Sequence, residues 1–322
     1  LAERISNNSG LYYPDGSFRS TEQIRRDLAF RGELPAIIYN SSSKLPRDAD
    51  EHLAIASKVS KQYKELSPQS ENFVEVTIQP NSIISMWGDL HLWNQETHHD
   101  RVRQELEVIR NTPNSLVILG ADLVDGIHWG GEGGGEQAAS LTEQQQTMWA
   151  IFQALRGKII IGVSGEHDSK WQMRTGGDPY AVFTELSGAP YIKGVGEVLI
   201  HCGEIDYKLV VQHKARGYSM YNKNHPTYRE ARFELQDADI YINFHTHKKQ
   251  VSQETIRKFG RADVITHISA GAYKPTDGYG QREGFVGMLP EQMYGASIML
   301  YGDKKRVDVD FDILSAHEKW GL

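Results

Sequence analysis

Sulfur chemistry is nearly missing from this 322-residue chain, which holds a single cysteine, Cys202. One thiol cannot close an internal disulfide, nor can it build a cysteine-rich zinc cluster. Long apolar runs are missing too. Nothing approaches the roughly 18–20 consecutive residues that a spanning helix needs, so no membrane partner is expected. The first residues carry no basic-then-apolar signal pattern, and the expected location is a reducing cytoplasm. A strong excess of either charge is also lacking: 35 Lys+Arg oppose 42 Asp+Glu, a net charge of −7. That balance argues against a surface that coats nucleic acid wholesale, although a net charge averages over patches. What the chain does hold is 13 histidines beside those carboxylates, the ligand set of hard and borderline metals. Its 39% hydrophobic residues suffice for a sizeable core in one large domain, alone or with an accessory piece.

Residues 1–70 differ from the rest. Ser20 and Gln23 make a capping box for a short helix that stops at Gly32 and Pro35, and a second helical stretch runs from Ala49 to Leu66. This part reads as a helical appendage or, equally, as an extended arm. From residue 71 to 322 the pattern changes to short β-rich runs alternating with helices. Strands are expected at 73–78, 83–87, 116–119 and 158–163, and further ones at 197–202, 207–212, 239–244, 263–269, 296–301 and 306–313. A helix with the capping box Ser140/Glu143 lies between the third and fourth. The alternation implies an α/β architecture with a largely buried sheet.

The strand ends carry the chemistry, since ligands of open α/β sheets sit beyond the carboxyl ends of the strands. Gly88-Asp89-Leu90-His91 follows the second strand, Gly120-Ala121-Asp122-Leu123-Val124-Asp125 the third and Gly165-Glu166-His167-Asp168 the fourth. Two later strands end in His213 and in His245-Thr246-His247. Singly, each is more often a helix cap or a satisfied histidine. Converging on one place, so many carboxylates and imidazoles call for cations to compensate them. The alternate-residue pairs Asp89/His91 and His245/His247 add weight, because alternate residues of an extended segment point the same way.

In this order the five motifs resemble the calcineurin-like metallophosphoesterase superfamily over roughly residues 80–250. The resemblance implies a two-sheet β-sandwich flanked by helices and a binuclear centre of two divalent ions, of Mn, Fe or Zn type given the O/N donors. It implies that Asp89, His91 and His247 hold the first metal, that Asp122 bridges, and that His213 and His245 hold the second. Glu166 stands where the family has a metal-binding Asn, His167 in the place of the catalytic His, and Asp168 in that of the carboxylate orienting it. Three departures accompany these matches. Ala121 replaces a Gly harmlessly, and Phe244 replaces a Gly beside the groove. Glu166 adds a negative charge where a neutral amide is usual, so an active but altered second-metal site is expected.

Two basic segments flank the last motifs. Residues 214–232 hold five Lys/Arg against Glu230, with Tyr218, Tyr221 and Tyr228 interleaved, and residues 248–261 hold five against Glu254. Such segments steer polyanions, and interleaved aromatics stack bases, so they fit a nucleic-acid strand as well as an ordinary solvated face. The expected activity is metal-dependent phosphoester hydrolysis, with a nuclease-like phosphodiesterase preferred over a phosphomonoesterase. A binding or scaffolding protein that keeps the fold is the competing expectation. The Gly-rich stretch 130–135 lacks the Lys-Ser/Thr ending of a phosphate-binding P-loop and is acidic, so it reads as a flexible rim.

Overall fold

The computed structural model describes residues 53–54, 56–61, 72–126, 136–217, 219, 221–258, 260–276, 284 and 287–321. The chain forms two compact units, residues 1–69 with 172–178 and residues 70–171 with 179–322. In the first, residues 53–54 and 56–61 are helical, inside the stretch expected to be so, whereas the expected helix after Ser20 lies outside the described residues.

The second unit contains two mixed sheets of six strands, flanked by helices. Strands β1 (Phe73–Ile78), β6 (Val195–Cys202), β7 (Ile205–Gln212), β8 (Ile240–Asn243), β10 (Arg261–Ser269) and β9 (Gln250–Lys258) form one sheet in that order. The other runs β12 (Val307–Asp310), β11 (Ala296–Leu300), β2 (Ser82–Trp87), β3 (Ser115–Leu119), β4 (Ile159–Val163) and β5 (Tyr191–Ile192). Helices α1 (His99–Asn111), α2 (Leu141–Ala154), α3 (Glu166–Thr175), α4 (Pro179–Ser187), α5 (His225–Phe233) and α6 (Ile313–Trp320) complete the described regular structure, with a short 3-10 turn at Pro290–Gln292. Ten strands fall where the sequence placed them. The two it did not place are β5, only two residues long, and β9, whose polar run QVSQETIRK becomes a strand by pairing antiparallel with β10.

One core cluster joins the sheets. Ile84, Met86, Ile118, Ile161 and Val163 from the β2–β4 side pack with Val198, Ile200, Leu209, Val211, Ile242 and Ile268 from the other sheet. Strand β2 is buried at every position, the behaviour of a central strand covered on both faces, while β1 alternates exposed and buried side chains. Helix α2 is started by the Ser140/Glu143 capping box and buries Met148, Ile151 and Phe152, the last set edge-on to Tyr180 of α4.

Parallel register then aligns the informative ends. Trp87 pairs with Leu119 and Leu119 with Gly162, so β2, β3 and β4 finish level. In the other sheet Gln212 pairs with Asn243 and Asn243 with Ser269, so β7, β8 and β10 also finish level. Every segment named for its histidines or carboxylates leaves one of these aligned strands.

Candidate metal centre

The loops after β2 and β3 run side by side as a continuation of the ladder, with Asp89 N donating to Ala121 O at 3.0 Å and His91 N to Asp122 O at 3.0 Å. Their backbones are contorted there. Asp89, His91, Ala121 and Asp122 have φ of 49°, 48°, 64° and 47°, and His245 and His247 have 66° and 60°. Non-glycine residues pay roughly 1–3 kcal/mol each for the left-handed region, and such strain clusters at functional sites. Close approach accounts for two strand-end glycines. A Cβ on Gly165 would lie 2.1 Å from Asp122 Oδ1, and one on Gly120 would lie 2.2–2.4 Å from atoms of the Phe244 ring.

Among the described residues, three groups bring ligand atoms within 4.8 Å of one another: Asp89/His91/His247, Asp122/His213/His245 and His91/Asp125/His167. Asp89, His91, Asp122 and His213 are at most 2% exposed. In the first group His91 Nε2 lies 3.2 Å from His247 Nε2, and His247 Nε2 lies 3.6 Å from Asp89 Oδ1. The second group holds His213 Nε2 3.1 Å from Asp122 Oδ2, with the His245 ring edge-on to the His213 ring at 5.4 Å. His245 also ties the two groups together, its backbone N–H donating to Asp89 Oδ2 at 2.8 Å.

Tautomers are set by what the far ring nitrogens meet. His91 Nδ1 donates to Asp125 Oδ1 at 2.6 Å and His213 Nδ1 donates to Gly120 O at 2.6 Å, which turns both Nε2 atoms toward the cluster. Asp89 Oδ1 and His213 Nε2 are buried there without hydrogen-bond geometry to any partner. Burial pulls the His213 ring toward neutrality, but the Asp122 and Asp89 carboxylates outweigh it and push its pKa up to about 10. Burial and Lys274 lower His91 to about 4, and burial and His213 lower His245 to about 4. Buried O/N donors, two orphaned atoms aimed inward and a field this favourable to positive charge fit divalent cations of the Mn, Fe or Zn kind.

His167 and Asp168 sit at the start of α3. The His167 backbone N–H donates to Asp122 Oδ1 at 3.1 Å, its ring lies edge-on to His91 at 5.0 Å, and its Nδ1 donates to the carbonyl oxygen of Asp125. Asp168 Oδ2 accepts from the backbone N–H groups of Gly165 at 3.2 Å and Asp122 at 3.3 Å. The Asp125 carbonyl accepts from His167 Nδ1, while Asp168 ties the two ligand loops to each other. Glu166 lies outside the three groups. Lys170 holds its Oε1 and Lys214 its Oε2, which lies 3.9 Å from His245 Nε2. Burial works against its ionisation, but the two ammonium groups prevail and hold its pKa down to about 2.

Two residues at the centre carry roles the sequence reading did not assign. Asp125 grips His91, accepts from Asn94 Nδ2 at 2.8 Å through Oδ2, and lies 3.5 Å from the buried Lys274 ammonium through Oδ1. Burial opposes its charge, yet His91 and Lys274 hold its carboxyl well below the usual range. Its position in the Gly-x-Asp-x-x-Asp motif was a readable signal, whereas Lys274, five residues past β10, offered none. Phe244 is fully buried, stacked parallel to His213 at 6.4 Å between centroids. Trp87 and Trp171 are buried as well, and His267 is stacked on Tyr228 at 3.9 Å, away from the ligand groups. His128, Trp129 and the Gly-rich stretch lie outside the described residues.

No family model matches the chain, and no curated relative does. Among solved structures the chain is similar to a metallophosphoesterase. That crystal structure, from Sphaerobacter thermophilus, has 14% sequence identity and a TM-score of 0.37, with 74% of this chain and 95% of the metallophosphoesterase covered. At that identity, the ligand groups are read from this chain's own geometry. No helix among the described residues is long and apolar enough to cross a membrane.

Proposed function

We propose that the chain is a metal-dependent phosphoester hydrolase. The observation that carries this reading is the convergence, from five strand ends, of buried and half-buried carboxylates and imidazoles, among them Asp89 Oδ1 and His213 Nε2, which are buried without hydrogen-bond geometry to a partner. Asp89, His91 and His247 would hold one divalent ion, His213 and His245 a second, and Asp122 both. Ions bound there would neutralise phosphate charge and acidify water.

The protein's own part follows from its hydrogen bonds. A carbonyl only accepts, so the proton on His167 Nδ1 stays with Asp125 O and the exchangeable proton is the one on Nε2. Protonated His167 delivers that proton to the leaving oxygen and returns to the neutral Nδ1–H tautomer. Asp168 acts as a positioning residue by pinning the Gly165 and Asp122 amides. Asp125 does the same for His91 and, through its carbonyl, for His167.

A phosphodiester is the preferred substrate class, because exposed Lys214 and Arg216 lie one and three residues past His213 and partly exposed Lys248 and Lys249 one and two past His247. The nucleic-acid form of this preference draws less support from the stacking residues. Tyr228 is stacked on His267, Arg229 and Arg232 are paired with Glu234 and Glu254, and Tyr218 lies outside the described residues. The test is hydrolysis of bis-p-nitrophenyl phosphate, p-nitrophenyl phosphate and labelled single- and double-stranded DNA with added Mn, for the wild type, Asp122→Asn and His167→Ala. Loss of turnover in both variants is expected. Activity on the monoester alone would overturn the diester preference, and no uptake of Mn by the wild type would overturn the whole reading.

A further inference from the structure

Both carboxylate oxygens of Glu166 are held by ammonium groups. Lys170, one helical turn on, takes Oε1 at 3.0 Å, and Lys214 takes Oε2 at 2.8 Å. The two contacts are not equivalent. Oε2 is the oxygen that lies 3.9 Å from His245 Nε2, and Lys214 directly follows His213 in the chain. Lys214 therefore stands at the rim of the Asp122/His213/His245 group, whereas Lys170 holds the opposite oxygen from the helix. The cluster is accessible: the side chains of Glu166, Lys170 and Lys214 are 30%, 46% and 52% exposed.

A carboxylate can only accept hydrogen bonds, so Glu166 offers an incoming phosphate oxygen nothing but repulsion. An ammonium can donate to Glu166 and to a phosphate oxygen together, and its charge offsets that of the carboxylate. Lysine acts on phosphate as a mobile point charge, which suits a residue at a rim better than a fixed bidentate fork would.

We propose that Lys214, anchored on Glu166, binds a non-bridging phosphoryl oxygen of the substrate at the Asp122/His213/His245 side of the site. Glu166 is the positioning residue that aims it, and Lys170, on the opposite oxygen, takes no part in binding the anion. The inference rests on the phosphoesterase reading above and deepens it, naming the group that recognises the anion.

Four proteins test it: wild type, Lys214→Met, Lys214→Arg and Lys170→Met, each Mn-loaded. Orthophosphate is titrated into each calorimetrically, Mn content is measured by elemental analysis, and KM and kcat are taken on bis-p-nitrophenyl phosphate. Loss of one charge-assisted hydrogen bond at a half-exposed position is expected to weaken orthophosphate binding and raise KM about tenfold in Lys214→Met. Mn content should stay at the wild-type level, Lys214→Arg should recover most of the affinity, and Lys170→Met should stay within about twofold of wild type. Wild-type orthophosphate affinity and KM in Lys214→Met would overturn the proposal. So would an equal loss in Lys170→Met, which would reduce the effect to the general field, and so would loss of Mn in Lys214→Met. A wild type that takes up Mn and orthophosphate but hydrolyses no phosphoester would refute the functional reading alone, because the titrations would still report on Lys214.

Discussion

Replacing Gly165 with alanine puts one methyl group into the tightest place of the candidate centre. The added Cβ would lie 2.1 Å from Asp122 Oδ1, 2.8 Å from its Cγ and 3.0 Å from Ala121 Cβ. Even the 3.0 Å that real Cβ atoms essentially never undercut demands that Asp122 Oδ1 move by about 0.9 Å. Little allows it to move. Oδ1 is held by the His167 N–H at 3.1 Å, and Oδ2 lies 3.1 Å from His213 Nε2. The Asp122 backbone is already in the left-handed region and its amide is tied to Asp168. A displacement near 1 Å exceeds the ~0.5 Å within which a binding constellation must be held, and forfeits a hydrogen bond to a charged group worth roughly 1.5–3 kcal/mol. Divalent-ion affinity should therefore fall roughly 10- to 100-fold, with an overpacking cost to stability of about 1–3 kcal/mol. Isothermal titration with Mn beside urea melts separates the two effects. Gly287→Ala is the control, since its Cβ would meet nothing closer than Thr276 Cγ2 at 3.7 Å. Wild-type Mn affinity in Gly165→Ala would refute the placement of Asp122 at the centre of ion binding.

Three further perturbations probe the support around that centre. Asp125→Asn removes the charged acceptor of His91 and weakens the contact with the buried Lys274 ammonium, so Mn affinity should fall roughly 10- to 100-fold and stability by roughly 1–3 kcal/mol. Calorimetry and urea melts read these two effects, and unchanged stability would mean that Lys274 does not depend on Asp125. Phe244→Ala empties a fully buried ring site beside His213, and a loss of about 3–5 kcal/mol in urea melts is expected, with wild-type stability counting against a packing role. The third concerns pH. Burial raises the Glu105 carboxyl to about 7, although Arg101 and the Tyr273 hydroxyl oppose the shift. The folded value exceeds the unfolded one near 4.5, so the folded state holds the proton more tightly. Its contribution is then fully present below about pH 4.5 and is lost as pH rises through about 7, by on the order of 3 kcal/mol. Urea melts at pH 5 and pH 8 should show a smaller loss across this window in Glu105→Gln than in the wild type, and equal losses would refute the assignment.

Composition, period and short-range chemistry were enough to read ten of the twelve strands among the described residues, the α2 capping box and the five strand-end motifs, because each depends on neighbours within a few residues. Asp89, His91, Asp122, His213, His245 and His247 were legible as candidate ligands for the same reason: each lies within a few residues of the end of a short apolar run with strand character. The Lys170 contact of Glu166 was legible in principle from its i, i+4 spacing on one helix.

Only the tertiary structure decided the rest. Parallel register levels β2, β3 and β4 in one sheet and β7, β8 and β10 in the other, and that is what converts five separate motifs into ligand groups. Strand β9 exists because β10 offers its backbone a partner, a matter of pairing rather than propensity. Phe244 faces inward because Gly120, more than a hundred residues earlier, leaves room for its ring. Lys214 reaches Glu166, and Lys274 reaches Asp125, across sequence separations of 48 and 149 residues. A chain presents its donors and charges in order, but what each one meets is set by which strand ends the fold brings together. Glu166, which stands in the sequence where a metal ligand is expected, meets the Lys170 and Lys214 ammonium groups in the folded protein.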